Sequence, residues 1–263
     1  MGSTFTPEQN NQYLSLNSAE RQYLDTGRKF IPESGDFTVS LWAKTDSAVG
    51  RHAEIVSQGY SSPTGFYIGY DPNGYFRIGD SWYPTKVQFP ADNNWHNIQV
   101  KKEGNTGYLY VDGTLRETKI GFRNPQQGSD FRIGNQFGYD GQHPNEYWNG
   151  GIDEVKVWST ALSIKDLELA RASLETSTPP VFSTNFENGL TATGNIGQLI
   201  DLTPSGSAQT AQILITKKRV LRGASIYTIV DGPSWTQAEA NSVKLGGHLA
   251  TINDAAENNW ILK

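Results

Sequence analysis

Two stretches hold the side chains best suited to gripping a ligand. One is Asp80-Ser81-Trp82-Tyr83-Pro84. The other is YDGQHPNEYWN at 139–149. Both are polar, turn-rich and aromatic. A sugar ring presents apolar C–H faces that stack on aromatic rings, while Asp, Asn, Gln and His take its hydroxyls. Aromatic anchors dominate protein interfaces as well, so the same surface suits a protein ligand. The candidate ligand-binding residues are Trp82, Tyr83, Tyr139, His143, Tyr147 and Trp148. The alternative for Trp82 and Trp148 is that each ring anchors its own loop.

Catalysis finds less material. A glycosidase needs two carboxyl groups at a separation fixed by its strands. Asp153 and Glu154 are adjacent and so point to opposite faces of a strand, while Glu54 is alone in its own. No G-x-S-x-G or H-E-x-x-H occurs, and the spacings of His52, His96, His143 and His248 suit no metalloenzyme pattern. The expectation is a chain that is not an enzyme. Asp153 has a second possible role. In GGIDEVKVW (150–158), alternation groups Asp153 with Val155 and Val157, against Ile152, Glu154, Lys156 and Trp158. A carboxylate on the core side must be hydrogen-bonded, paired or set on a cation. Asp153 either accepts backbone N–H groups from the first strands, or binds Ca²⁺ with backbone carbonyls and a second carboxylate such as Glu20 or Asp25.

These residues need a scaffold, and the pattern predicts strands. WHNIQVKKEGNTGYLYVDGTL (95–115) alternates on both sides of a polar turn and then meets Asp112-Gly113, a strong tight-hairpin signal. A three-stranded antiparallel meander follows. FTVSLWAK (37–44) places Phe37, Val39, Leu41 and Ala43 on one face and Thr38, Ser40, Trp42 and Lys44 on the other. Trp42 then either packs against a second layer or forms an open aromatic platform. With 53–59, 65–71, 75–80, 87–89, 131–134 and 152–158 added, about a dozen short strands precede any helix, which implies a two-sheet antiparallel sandwich. Ser163 and Asp166 fit a helix-capping pattern, so a helix is expected from Ile164 to about Leu174, lying against the sandwich.

Composition narrows the classes. The chain has 263 residues, a net charge of −5 and no cysteine. No electrostatic case exists for nucleic acid, and disulfides, thiolate nucleophiles and Cys-based zinc sites are excluded. No apolar run approaches the ~20 residues that span a bilayer. Met1-Gly2-Ser3 reads as an added start, and Trp260-Ile261-Leu262-Lys263 stops inside an apolar pattern, as a fragment of a longer protein would.

The ordered series FTVSLWAKTD, EIVSQG, GFYIGYDPNGYFRIG, WHNIQVKKEGNTGYLYVDGTL, FRIGNQ and GGIDEVKVWSTALS resembles the laminin G-like, concanavalin A-like jelly roll in its pentraxin-like branch, over 12–173. That resemblance implies two curved sheets that bind glycans or proteins, often with calcium at the rim, and mostly without catalysis. The Ser/Thr/Pro-rich stretch 175–180 reads as a linker, 181–189 as one added strand, 191–209 as irregular and 211–216 as another strand. Beyond it, SWTQAEANSVKLGGHLATINDAAENNWI resembles the opening half of a C-type lectin domain. The sugar-binding half of that family is absent, so its activity carries to no residue here, and His248 falls in its structural strand. A helix from Trp235 to about Leu245 is expected to need a partner.

The sequence therefore predicts a mainly β chain: a two-sheet antiparallel jelly-roll sandwich with one short C-terminal helix, then a partial α+β C-type lectin-like segment. The expected domains are 12–174, a linker with one or two strands over 175–223, and an incomplete module at 224–263. The expected function is a non-catalytic extracellular or cell-surface carbohydrate-binding or adhesion module, possible partners being a glycan, a surface protein and a second copy through 224–263. The other reading is a structural or protein-interaction module without glycan affinity. Calcium is the one cofactor considered, with Asp153, Glu20 and Asp25 as its ligands.

Overall fold

A computed structural model describes residues 12–59, 65–79, 85–126, 128–137, 144–187, 190–194 and 199–201, and beyond these 203–205, 209–212, 219–222, 225–228 and 239. The chain divides into two compact units, Thr6–Ile215 and a second made of Thr216–Lys263 with Met1–Phe5.

In the larger unit the strands run β1 (Gln12–Leu16), β2 (Tyr23–Asp25), β3 (Phe37–Lys44), β4 (Ala53–Gln58), β5 (Phe66–Tyr70) and β6 (Phe76–Gly79). The meander follows as β7 (His96–Glu103), β8 (Thr106–Val111) and β9 (Thr114–Ile120). Next come β10 (Arg132–Ile133), the short pair β11 (Gln136–Phe137) and β12 (Pro144–Asn145), and the long β13 (Gly150–Trp158). After helix α1 (Ile164–Arg171) come β14 (Phe182–Thr184), β15 (Thr191–Gly194), β16 (Leu199–Asp201), β17 (Thr203–Ser205) and β18 (Gln209–Gln212).

Two sheets form. The first has the order β16-β15-β14-β13-β3-β7-β8-β9, with β1 beside β13 and β18 beside β1; the second is β17-β2-β10-β4-β5-β6. Every named strand pair is antiparallel. The meander pairs as its alternation predicts, and Asp112 (φ 52°) and Gly113 (φ 77°) take the two positive φ values that a type I′ turn needs. Segment 191–209, expected to be irregular, instead contributes β15, β16 and β17, because its Thr and Ile residues find exposed sheet edges to extend.

The core lies between the sheets. Phe37, Val39 and Leu41 of β3 and Ile98 of β7 belong to the same buried cluster as Ile68 of β5 and Ile133 of β10. The outer face of the larger sheet is covered at its centre by α1. Leu167 and Ala170 of the helix pack with Leu162, Tyr110 and Trp158. Ser163 caps the helix by accepting from the Asp166 amide, and Gln99 Nε2 donates to the Leu167 carbonyl at 2.8 Å. Trp42, on this outer face, is 2% exposed, so it is a packing residue and not an open platform.

Asp153 departs from the alternation predicted for it. The β13–β3 register pairs Asp153 with Trp42 but Lys156 with Ser40, and the extra residue is taken up by Glu154 at φ 50°. This bulge turns Val155 and Val157 back to the core beside Ile152, and leaves Asp153 on the Trp42 face. A two-residue alternation cannot reveal such an insertion.

In the smaller unit, β19 (Arg219–Arg222) and β20 (Ser225–Thr228) form an antiparallel hairpin. Of the helix expected at 235–245 only Glu239 is described, in helical conformation; the rest of it and the C-type lectin-like pattern around it lie outside the described residues. No described helix is long and apolar enough to cross a membrane.

Candidate functional site

Among the described residues no such helix covers the outer face of the six-stranded sheet, and this face carries the chemistry. Along its strands Leu24, Val56, Ile68, Ile78 and Ile133 point to the core. Their neighbours therefore face out: Tyr23 and Asp25 from β2, Arg132 from β10, Tyr67 from β5 and Arg77 from β6. A bulge between Glu54 and Val56 in β4 sets Glu54 opposite Gly69. Gly69 needs to be glycine, since a Cβ there would collide with the Ala53 carbonyl and the Glu54 carboxylate.

The segment after β12 completes this face. It runs parallel to β4 for one step, Glu54 against Tyr147, and the Glu54 amide donates to the Glu146 carbonyl at 2.9 Å. Trp148 N–H donates to the Gly134 carbonyl at 2.8 Å, and Arg51 Nη1 to the Tyr147 carbonyl at 2.7 Å. Glu146 itself turns the chain at φ 54°.

Two groups of side chains result. In the first, Arg77 Nη1 donates to Glu54 Oε1 at 2.7 Å and to Glu146 Oε2 at 3.1 Å. Its guanidinium lies 4.6 Å from the centroid of the Tyr67 ring, and His52 Nδ1 stands 4.0 Å from Glu146 Oε1. Arg77 and Glu54 are fully buried. Burial pushes the Glu54 carboxyl well above the ordinary carboxylate range; Arg77 opposes this and Glu146 adds to it. Burial, then Arg77, lowers the His52 imidazole, so the ring is neutral at neutral pH. Burial also raises the Tyr67 phenol.

In the second group, the rings of Tyr23 and Tyr147 lie 6.2 Å apart and tilted by 44°. The Arg132 guanidinium sits 5.0 Å from the Tyr23 centroid, and its Nη2 pairs with Asp25 Oδ2 at 2.7 Å. Both tyrosines are half-buried. Each keeps part of its surface open, and the charged pair lies against Tyr23. This arrangement can stack an apolar ring face and exchange hydrogen bonds with hydroxyls around it.

Of the residues singled out from sequence, Tyr147 is on this face. Trp148 is not: it is fully buried, with its ring centroid 5.7 Å from that of Tyr70 and 5.5 Å from that of Phe89. It anchors the segment and has no surface left for a ligand. Trp82, Tyr83, Tyr139 and His143 lie outside the described residues.

The three carboxylates considered for calcium are not brought together. Asp153 accepts from the Glu154 amide at 2.8 Å in the larger sheet, and burial, then Glu154, raises its carboxyl well above the usual range. Asp25 pairs with Arg132 in the other sheet, and Glu20 accepts from Gln22 Nε2 at 2.8 Å. Among the described residues no group of three His, Cys, Asp or Glu side chains could hold a metal ion. Asp153, Glu20 and Asp25 therefore form no joint set of ligands among the described residues.

Sequence reading missed Tyr23, Arg132 and the Glu54–Arg77–Glu146 group. The available signal was a charge of each sign within two short apolar runs, AEIV and FRIG. Reading it required the register of β4, β5 and β6 together.

Comparison with known proteins places the scaffold. The pattern of the concanavalin A-like lectin/glucanases superfamily matches residues 9–168. No curated protein sequence matches the chain. Among solved structures, a candidate carbohydrate-binding protein from Bacteroides ovatus superposes with a TM-score of 0.59 at 17% identity, over 79% of this chain and 61% of that one. A heptameric SAP-like pentraxin from Limulus polyphemus superposes with a TM-score of 0.54 at 12% identity, over 77% of this chain and 94% of the pentraxin. The chain thus spans about three fifths of the length of the Bacteroides protein.

Proposed function

The chain belongs to the concanavalin A-like lectin/glucanase superfamily, and from that premise we propose that it is a non-catalytic carbohydrate-binding module whose site is the outer face of the six-stranded sheet. The observation that carries this reading is the half-buried Tyr23–Tyr147 pair beside the Arg132–Asp25 ion pair. The similarity to the Bacteroides ovatus protein supports it. Trp82, Tyr83, Tyr139 and His143, singled out by residue type, are proposed as further ligand-binding residues. The module acts in a secreted or surface protein, and the C-type lectin-like segment at its end is proposed as a second module open to pairing between copies.

Glu54 and Glu146 do not make a glycosidase of it. Both carboxylates contact one nitrogen of Arg77, and Glu54 is sealed from solvent. A scissile bond must lie between the two carboxyl groups of such an enzyme, with at least one of them open to it. Here the guanidinium fills that place.

A glycan array followed by calorimetry tests the proposal. Tyr23→Ala and Tyr147→Ala are each expected to weaken binding about tenfold or more, the scale of a truncated aromatic hot spot. Neither ring belongs to the buried core, so the variants should keep the wild-type unfolding profile to a good approximation. An array on which no glycan binds would support the protein-interaction reading in its place.

A further inference from the structure

Arg77 carries one positive charge and meets two carboxyl groups in a buried place. Two ionised carboxylates there would leave a net negative charge with little solvation, which protein interiors avoid by retaining a proton. Among the described residues, the other groups facing the pair do not supply a second cation at neutral pH. His52 is held neutral by burial and by Arg77. Tyr67 is a neutral phenol lying under the guanidinium, and Asp71 adds negative charge near His52. Arg51 is engaged with the Tyr147 carbonyl on the next turn of chain.

The same pair is also a mechanical link. Glu54 belongs to β4 in the sheet, and Glu146 to the segment that carries Tyr147. We propose that Glu54 keeps its proton beside Arg77 and Glu146, and that this carboxyl pair is a pH-sensitive clamp holding the 144–149 segment against the six-stranded sheet. With the proton present, the group is neutral and Glu146 stays on Arg77. When it leaves, the two carboxylates repel, and the more exposed partner, Glu146, swings toward water with its backbone. The functional meaning of the clamp, control over the position of Tyr147, rests on the glycan-binding reading; the clamp itself does not.

The direction of the pH effect follows from the raised Glu54 carboxyl. The closed state binds the proton more tightly than the open state. Clamping is therefore complete at and below the ordinary carboxylate value, and is lost as pH rises from there toward the raised one. In that window, opening is favoured about tenfold more per pH unit, because one proton is released.

Amide hydrogen exchange on the full chain without ligand reads this directly. The reporters are the Glu54 and Trp148 amides, which donate to Glu146 and Gly134. After correction for the intrinsic rate, their protection should fall with rising pH, while the Val39 amide in β3 should show no matching slope. Glu54→Gln, a neutral mimic of the protonated acid, should abolish the slope and keep the reporters protected. Glu146→Gln, which leaves one carboxylate for one guanidinium, should abolish it too. An unchanged slope in both variants, or an equal slope at Val39, would overturn the clamp and leave the glycan reading standing. Loss of glycan binding without any exchange slope would separate the two in the same way.

Discussion

Replacing Arg77 with methionine is expected to destabilise the protein by about 3–5 kcal/mol at neutral pH, the cost of removing one partner from a buried ion pair. The methionine restores much of the volume, so the loss is electrostatic. Glu54, with no exposed surface, then has no cation opposite it, and Glu146 is left beside it. Denaturant unfolding at neutral and acidic pH measures both parts. The deficit should shrink as pH falls toward the ordinary carboxylate range, because protonation removes the stranded charges. A deficit of the same size at both pH values would mean that Arg77 acts by packing on Tyr67 and not by neutralising the pair.

Trp148→Ala is the second large effect, at about 3–5 kcal/mol for deleting a fully buried indole. The ring fills the space between Tyr70 and Phe89, at the point where the 144–149 segment crosses the core. Among the described residues its indole nitrogen has no hydrogen-bond partner, so Trp148→Phe should cost much less than the alanine change. Urea midpoints for the two variants test this ordering. If alanine were tolerated as well as phenylalanine, Trp148 would not be the anchor of the segment.

Trp148 also shows how far a sequence can be read. It stands beside Tyr147 in a polar aromatic loop, and nothing local separates the two rings. The parallel step against Glu54 sets Tyr147 on the outer face and turns Trp148 inward. Strand identity was more accessible. The alternation in FTVSLWAK and the Asp112-Gly113 turn are local signals, and both appear in the structure with the expected faces and φ values. Asp153 lies between these cases, since its strand was legible but the bulge at Glu154 was not. The Glu54–Arg77–Glu146 group was hidden for a different reason. Its members come from two strands and a connecting segment, and only the pairing of β4 with β5 and of β5 with β6 makes them neighbours. Positions 191–209 looked irregular because Thr, Gly and Ser dominate them. Strand formation there depends on edges that other parts of the chain provide.

The central claim is that the ligand meets the outer face of the six-stranded sheet. Backbone amide shift mapping of the isotope-labelled chain, titrated with the tightest glycan from the array, tests it most directly. The account predicts shift changes that centre on Tyr23, Arg132 and Tyr147 and leave α1 and the outer face of β3 and β7 unmoved. Changes confined to Ser40, Gln99 and α1, with none at the two tyrosines, would contradict it.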